Sequence, residues 1–587
     1  MSAVHLEFPA EPREPRSSDV VAGRPTAEPS VATMRRAAGS ASTPHPRDAA
    51  GRAFDAAPSL GERLTGRWRL WAAALAVAAL LWRLPALWYA YPFEGTPDEW
   101  VLVESAVRIL RSGDLNPHVF NYPSLDIYVL AAVDAVLEPL GVLRVEARAT
   151  PDHYVVARAL VLLASALTIF ASACLGSRCF GPRVGVATAA VLAVAPLHTA
   201  FSYVARVDAS VALWAVLAAI CALRILVEPP RTRDYVLAAG CVGCAIGSKY
   251  TAIFAALPIA FAHFLGEAPL GRASWRRLAW FAVLVPLCFL ATTPYALLDL
   301  AGFRTELAMV REAYRVGVPG HAGAGPTSYG ANLRELVEGF GLALSVLAVL
   351  GVGSAARREP RRVLVLLAFP LGLVALLGAY AAHFARNLVG ATPFVAVFAA
   401  VGLASVVDAL RRAVARLPAG SASARRTWTA CAVALACFAA FVAPASVSAA
   451  ELRLARVPDA RGAASQWLRA HVPPGSRVLC EQRGPPLDAF APGCDVTVVR
   501  CAVEARRHDP ATGFDFVVLS AWTLRCVAVE RPEFAPLRAA YERFEASHEL
   551  VAEFVADGIR LSGDSIRVYR GAPRAPDSPP SAASGAR

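Results

Sequence analysis

A succession of apolar runs constrains this chain more than any other feature of its sequence. The runs begin near residue 68, recur to near residue 449 and are separated by short clusters of arginine. A run of about 20 apolar residues is long enough to cross the hydrocarbon core of a bilayer as a helix. With 56% hydrophobic and 18% charged residues, the chain departs from the composition of soluble domains. The sequence therefore predicts an α-helical polytopic membrane protein.

The net charge of +12 raises the question of nucleic-acid binding. Most basic residues lie in short clusters between apolar runs, which is the pattern of cytoplasmic loops in membrane proteins. We therefore assign the charge to membrane topology and predict no nucleic-acid partner.

The topology depends on whether residues 124–143 cross the membrane. This apolar segment carries Asp126, Asp134 and Glu138, which fall within about 120° of one helix face. A charge at the bilayer centre costs about 2.5–3.5 kcal/mol on insertion scales, so three acids on one face favour a helix lying on the membrane surface. If the segment crossed, the arginine clusters downstream would all move to the outside, against the positive-inside rule.

A non-crossing segment leaves about eleven transmembrane helices, with the N-terminus inside and the C-terminus outside. The two spans on either side of Lys249 are shorter than the roughly 20 residues needed to cross unaided. The predicted spans are residues 68–90, 153–175, 182–203, 208–227, 235–248, 251–266, 277–296, 332–353, 361–382, 386–409 and 428–449.

Composition divides the chain into a membrane domain and a small domain, with a tail at each end. Residues 1–65 predict a disordered cytoplasmic tail, and residues 571–587 predict a second disordered tail. Residues 66–450 form the predicted membrane domain, whose first outside loop is 91–152. Residues 451–570 alternate helix-like and short β-type runs, which predicts a small α/β domain outside the membrane.

The twelve cysteines fall into two groups. Eight lie in apolar segments, where they are typical small buried hydrophobes. The other four lie in the small domain and can form two disulfides in an oxidising compartment, with connectivity open. They are Cys480, Cys494, Cys501 and Cys526.

The loop at 297–331 carries a helical pattern followed by a glycine-rich stretch. Phe303, Leu307, Val310 and Tyr314 recur at helical spacing. A surface helix next to a flexible segment fits a lid over a substrate, and it fits an inert loop equally well.

The first outside loop carries the strongest candidates for catalysis, in Thr96-Pro97-Asp98-Glu99. Thr96 at the N-cap, Pro97 at the first helical position and Glu99 at the third would form a capping box. Asp98 is not needed by that cap, and it can accept a proton from an acceptor hydroxyl or amine or help hold a cation. We therefore predict Asp98 as the first candidate base and Glu99 as the second.

Further charges lie at the predicted outer ends of spans. Asp208 and Arg206 occur in SYVARVDAS, Lys249 occurs in GSKYTA and is the only lysine, and Arg386 occurs in ARNLVGATPF. An acid beside an apolar span is costly without a partner, which makes Asp208 a functional candidate or a helix cap. Converging cations suit a lipid phosphate, and singly they are equally typical of membrane-flanking anchors.

These segments together carry a resemblance to a known family. FEGTPDEW, NPHVFNYPSLDIY, SYVARVDAS, GSKYTA and ARNLVGATPF occur in an order and topology similar to the GT-C membrane glycosyltransferases. The nearest branch contains the protein O-mannosyltransferases and the lipid A aminoarabinose transferase, and the similarity covers roughly residues 68–410.

The resemblance implies a GT-C fold and a polyprenyl-phosphate-linked sugar donor. It implies that Asp98 or Glu99 acts at the acceptor, that Asp208 lines the catalytic cavity and that Lys249 and Arg386 contact the donor phosphate. Arg206, Tyr122 and His118 lie in the same motifs and join the predicted substrate-binding residues. Tyr122–Ser124 reads YPS where the family more usually has YPP. The resemblance also implies inversion at the anomeric centre.

We therefore predict a glycosyltransferase of the cell inner membrane, acting at its periplasmic face on a lipid, glycan or protein acceptor. The residues leave a secondary transporter or a non-catalytic subunit of envelope-polysaccharide assembly or export as alternatives, although no internal repeat favours a transporter. No cofactor is certain, and a divalent cation stays open. The sugar, the acceptor and the oligomeric state are not specified by the sequence.

Overall fold

The computed structural model describes residues 66–571 except for several short internal segments. The predicted tail at 1–65 and almost all of that at 571–587 lie outside the described residues. The internal segments left out are 97, 145, 147, 230, 267–268, 318–320, 322–324, 417–421, 500, 504–510, 512 and 528–534.

Helices dominate the chain up to Leu454. They are α1 Trp68–Arg83, α2 Glu99–Ser112, α3 Leu125–Leu137, α4 Pro151–Phe180, α5 Pro182–Val194, α6 Pro196–Ala200, α7 Asp208–Val227, α8 Thr232–Ser248, α9 Leu257–Leu265, α10 Arg272–Thr292, α11 Tyr295–Leu298, α12 Leu300–Val316, α13 Tyr329–Phe340, α14 Leu342–Ala356, α15 Pro360–Gly378, α16 Thr392–Ala415 and α17 Ala422–Leu454. Short 3₁₀ turns at Leu84–Trp88, Tyr250–Ala256 and Ala385–Ala391 precede or join several of them.

Within the described residues, seven helices are long and apolar enough to cross a membrane, and the pair α13–α14, bent by 106°, makes up to eight. Three more of the predicted spans coincide with shorter helices, at Pro182–Val194, Thr232–Ser248 and Tyr250–Leu265. The polytopic membrane fold is thus confirmed, while the count of eleven spans stays a prediction because the three short helices fall below the usual crossing length.

Close backbone approach ties α14 to α16 near the middle of the bundle. A Cβ added to Gly351 would lie 1.9 Å from the carbonyl oxygen of Phe398, and one added to Gly402 would lie 1.9 Å from that of Leu347. Only glycine permits this approach, because any side chain would overlap the facing backbone. The two helices therefore pack as a close pair.

The first loop folds into α2 and α3, and the prediction for α3 is partly wrong. This helix has 13 residues, too few to cross a bilayer, as expected. Its acidic face, however, is turned inward: Asp126 accepts a hydrogen bond from Ser210 at 2.5 Å, Glu138 pairs with Arg111 and Asp134 is fully buried. Burial raises the pKa of Asp134 to about 7, so this carboxyl can enter the interior in its neutral form.

The small domain begins after α17 and is built on one sheet. Its strands are β1 Arg477–Glu481, β2 Asp495–Val499, β3 Phe516–Ser520, β4 Leu550–Phe554 and β5 Ile566–Arg570, with α18 Ala460–His471, a 3₁₀ turn at Leu487–Ala489, α19 Ala521–Val527 and α20 Ala535–Ser547.

The sheet order is β2-β1-β3-β5-β4, in which β1 runs parallel to β2 and β3 while β5 runs antiparallel to β3 and β4. The fully buried pattern of β3 fits a central strand covered on both faces. Cys480 and Cys494 form no disulfide within the described residues, Cys501 Sγ lies 3.2 Å from the Tyr541 hydroxyl, and the side chain of Cys526 lies outside them.

Glu94 of the first loop joins the small domain to the membrane domain. Its carboxylate lies 3.3 Å from Arg461 and 2.9 Å from Arg483, and the same two guanidinium groups donate to the carbonyl oxygens of Glu94 and Gly95. Charge-assisted hydrogen bonds of this kind fix orientation as well as distance. The start of the first loop is therefore held from the side of the small domain.

Candidate active site

Asp98 lies immediately before α2, between two arginines from distant parts of the chain. Its Oδ2 is 3.1 Å from a terminal nitrogen of Arg206 and 3.3 Å from one of Arg386. The side chain of Asp98 is 25% exposed, against 10% for Arg206 and 15% for Arg386. The folded chain thus brings one partly accessible carboxylate together with two cations that the sequence had placed 108 to 288 residues away.

The charges around Asp98 determine its protonation state. Burial by itself would raise the pKa of Asp98, but Arg386, Arg206 and Lys249 lower it, and the net effect is a pKa below the usual value. Tyr122 also hydrogen-bonds to this carboxylate, and burial together with Asp98 raises the pKa of the Tyr122 phenol. Asp98 is therefore an ionised carboxylate near neutral pH, with a phenolic donor beside it.

Glu99 has a different environment, although it is the next residue. Its carboxylate is fully buried and accepts 3.0 and 2.8 Å hydrogen bonds from Arg158, with further bonds from the backbone N–H groups of Gly95 and Ala205. The alternative in which Glu99 closes a capping box does not hold, because α2 begins at Glu99 itself and Asp98 occupies the N-cap position. Pro97 lies outside the described residues.

Four donors thus saturate Glu99 and leave it no lone pair directed at a substrate. Burial would raise its pKa, but Arg158 outweighs burial and the pKa is lowered. Arg158 in turn donates to the carbonyl oxygens of Leu87 and Tyr89. Glu99 and Arg158 therefore form a buried ion pair that holds the first loop against α4.

Asp208 and Lys249 form a second internal pair. Lys249 Nζ donates to Asp208 Oδ1 at 2.5 Å and to Asn387 Oδ1 at 2.7 Å, and all three residues are buried. Asp208 opens α7, Lys249 directly follows α8, and Asn387 directly follows Arg386. In this arrangement Lys249 is occupied by two protein oxygens, and its side chain is 11% exposed, about as little as that of Arg206 at 10%.

An aromatic shell covers Arg386. The guanidinium lies 4.0 Å from the ring centroid of Phe384, whose ring packs at a tilt against His321 and contacts Tyr314 at the end of α12. The Tyr314 hydroxyl accepts a 3.1 Å hydrogen bond from Asn387. The long loop that the sequence offered as a lid or an inert connection therefore contacts the candidate site. Burial and the charge of Arg386 lower the pKa of His321 to about 4.

His118 lies apart from these contacts. Its Nε2 is 2.7 Å from an oxygen of Asp114, and both side chains are about half exposed. A cavity of about 10 Å³ lies directly beside Asp98 and is lined in part by Tyr122, Ala205 and Arg206. That volume holds about one water molecule, so a sugar needs a wider opening above Asp98.

A metal site is not evident in the part of the chain that the structure describes: no three His, Cys, Asp or Glu side chains converge there to hold an ion. The divalent cation left open by the sequence therefore has no ready ligand set among those residues.

Sequence reasoning missed three residues of this site. Arg158 lies within the predicted span 153–175, where an arginine needs a partner, and that signal points to a buried acid. Asn387 lies directly after Arg386, and Phe384 lies two residues before it. Neither carried a distinct signal, because their roles depend on which helix ends meet.

Comparison with known families gives one sequence match. The family described as dolichyl-phosphate-mannose-protein mannosyltransferase matches residues 147–297. That segment contains Arg158, Arg206, Asp208 and Lys249, and it excludes Asp98 and Arg386. No curated protein sequence matches the chain significantly.

Comparison with solved structures gives the fold. ArnT from Cupriavidus metallidurans, solved with undecaprenyl phosphate bound, matches with a TM-score of 0.51 at 16% identity, over 85% of this chain and 98% of that one. The Archaeoglobus fulgidus oligosaccharyltransferase, solved with a tethered acceptor peptide, matches with a TM-score of 0.53 at 14% identity, over 82% of this chain and 72% of that one. At these identities the likeness establishes the architecture.

Proposed function

We propose that this chain is a GT-C membrane glycosyltransferase and that it transfers a hexose or pentose from a polyprenyl-phosphate-linked donor to a lipid, glycan or protein acceptor, with Asp98 as the base. The similar structure solved with undecaprenyl phosphate supports a lipid-phosphate donor, and the one solved with a tethered acceptor peptide supports an acceptor site in the same fold. They do not favour the transporter or the non-catalytic subunit.

The difference between two adjacent carboxylates carries the assignment of the base. The Glu99 carboxylate is buried and accepts hydrogen bonds from four donors, whereas the Asp98 carboxylate is partly exposed and pairs with arginine through its Oδ2 atom. A general base must reach the proton that it accepts and must be ionised beforehand. Of the two, Asp98 meets both conditions.

Arg386 and Arg206 are the groups that we assign to the donor phosphate. The buried Nε of Arg386 has no hydrogen-bond partner among the described residues, so an anion bound there would gain a directed donor. Planar guanidinium groups suit phosphate oxygens, and two of them can offset the charge that grows on the leaving group.

The reaction follows from these positions. A lone pair of the acceptor O–H or N–H attacks the anomeric carbon, and the acceptor proton passes to Asp98. The bond between the anomeric carbon and the phosphate oxygen breaks, and its electron pair leaves with the polyprenyl phosphate held by the two arginines. Attack opposite the leaving phosphate inverts the anomeric centre.

The test is sugar transfer by the purified protein, using radiolabelled polyprenyl-phosphate sugars and a membrane extract as acceptor source. We expect Asp98→Asn to lower the rate by about 10²- to 10⁴-fold, the usual contribution of a positioned base. Asp488→Asn removes an exposed acid of the small domain, whose side chain is 79% exposed, and serves as the matched control. Undiminished transfer by Asp98→Asn would contradict the assignment.

We further propose that the Asp98 end of the bundle faces the periplasm across the inner membrane. The distribution of arginine between loops supports this orientation. A topology reporter fused after residue 145 should be active only outside the cytoplasm, and cytoplasmic activity there would overturn the orientation without affecting the assignment of Asp98.

A further inference from the structure

A second cavity lies at the opposite end of the helix bundle from Asp98. It has a volume of about 1030 Å³ and lies among the adjoining ends of α4, α5, α14 and α15 and the facing sides of α16 and α17. Arg178 on its rim lies twenty residues beyond Arg158 on the same helix, which at 1.5 Å per residue is about 30 Å. That separation equals the hydrocarbon thickness of a bilayer.

The rim of this cavity, here called the arginine crevice, carries an excess of positive charge. Arg362 lies 3.4 Å from Glu359, and Arg411 lies 3.6 Å from Asp408. The three other arginines have no carboxylate within ion-pair distance among the described residues; they are Arg178, Arg183 and Arg358. The two acids of the rim are thus already paired. The positive charge of the three other arginines can be balanced only by an anion that is not one of these carboxylates.

The floor of the arginine crevice is apolar. Small side chains at Ala187, Ala190 and Ala404 leave the space open, and Val184 and Phe441 bound it with hydrocarbon. Helix α17 forms the outer wall of the crevice. Only 11% of the most apolar stretch of this helix is buried within the protein. An adjoining crevice of about 900 Å³ between α16 and α17 shares Arg411. A space with cations above and hydrocarbon below matches an amphipathic anion.

We propose that the arginine crevice binds an anionic phospholipid, with its phosphate among Arg178, Arg183 and Arg358 and its acyl chains along the apolar floor. Guanidinium groups bind phosphate through short charge-assisted hydrogen bonds, and basic pockets between membrane helices take anionic head groups. The site is separate from Asp98, so it stands independently of the proposed sugar transfer.

Arginines at this end are also expected from membrane topology alone. The experiment therefore needs a control in which arginines at the same end, but outside the crevice, are replaced. Topological arginines extend from the membrane surface into water, and they bind anionic lipid without a shaped site. Arg231, Arg272 and Arg276 are exposed arginines at the same end that do not line the crevice. Their triple replacement by Gln removes the same charge as a triple replacement at the rim.

The experiment is native mass spectrometry of the full-length purified protein, titrated with phosphatidylglycerol and with phosphatidylcholine of the same acyl chains. We expect wild type to retain phosphatidylglycerol in preference to phosphatidylcholine. The variant Arg178→Gln/Arg183→Gln/Arg358→Gln should bind phosphatidylglycerol about 10- to 100-fold more weakly, because it loses the charge-assisted hydrogen bonds to the bound phosphate. The control triple variant should bind within about 2-fold of wild type.

A second variant tests the contribution of the apolar floor separately from that of the charged rim. Ala187→Phe fills the space without changing charge and should also weaken phosphatidylglycerol binding, while size-exclusion profiles and helical circular dichroism verify folding. Glycerol phosphate, which lacks acyl chains, should not compete. Equal losses in the rim and control variants, equal binding of the two lipids, or full competition by glycerol phosphate would each overturn the proposal.

Discussion

The two ends of the helix bundle differ in whether their positively charged side chains are paired with carboxylates of the protein. At the Asp98 end, Arg158, Arg206, Arg386 and Lys249 each contact a carboxylate of the protein. In the arginine crevice, three of five arginines have no such partner among the described residues. The ion pairs at the first end fix the positions of the side chains there. The shortage of carboxylates at the second end leaves arginines free to bind an external anion. Charge count alone would not distinguish them.

The largest expected effect concerns the buried pair at the Asp98 end. Arg158→Met leaves Glu99 ionised and buried without a cation, which costs about 3–5 kcal/mol in comparable pairs. We expect a marked fall in the apparent melting temperature in detergent. Arg183→Met in the arginine crevice should change it little, because that side chain is exposed.

The double variant Glu99→Gln/Arg158→Met refines this prediction. Removing both charges should recover part of the lost stability, since no isolated charge is left in the interior. Equal melting temperatures for Arg158→Met and Arg183→Met would contradict the difference drawn between the two ends.

The next effect separates Arg386 from Lys249. Arg386→Gln should lower kcat/KM for the donor by about 10- to 100-fold, the loss of one to two charge-assisted bonds to phosphate, with little change in melting temperature. Lys249→Met should lower both activity and stability, because Asp208 and Asn387 lose their buried partner. Steady-state kinetics and thermal unfolding on the same preparations check both statements.

The pH dependence of transfer offers a finer test of the same contacts. Arg386 and Arg206 lower the pKa of Asp98, so the base stays ionised as the pH falls towards the ordinary range of aspartate. Activity should decline only below that range. Arg386→Gln removes the charge that lowers this pKa most, so the acid limb of the kcat/KM profile should move to higher pH, and Arg183→Gln should leave it in place.

The smallest expected effect lies at the junction with the small domain. Glu94→Gln removes the charge that contacts Arg461 and Arg483 and should weaken the junction by about 1 kcal/mol. Faster limited proteolysis between the domains would reveal this. Asp488→Asn, an exposed acid elsewhere in the small domain, should leave the cleavage rate unchanged.

Much of the fold was predictable because each element has a local cause. The long apolar runs became helices, and the short β-type runs predicted in the small domain became β1, β2, β3 and β5. The strand at Leu550–Phe554 was not predicted: it is short, and two of its five residues are exposed. The inward face of α3 was also missed, since Asp126 and Asp134 are tolerated inside only through Ser210 and through protonation.

Within the site, the sequence determined which residue types gather at the ends of spans, because hydrophobic runs and arginine clusters fix where a chain meets the membrane surface. It ranked Asp98 before Glu99 only through a capping box that helix α2, which begins at Glu99 itself, does not form. Tertiary structure decided that difference by directing Arg158 at Glu99 and Arg206 and Arg386 at Asp98. Partners that lie 59 to 288 residues apart leave no local signal, because only the packing of helices brings them together.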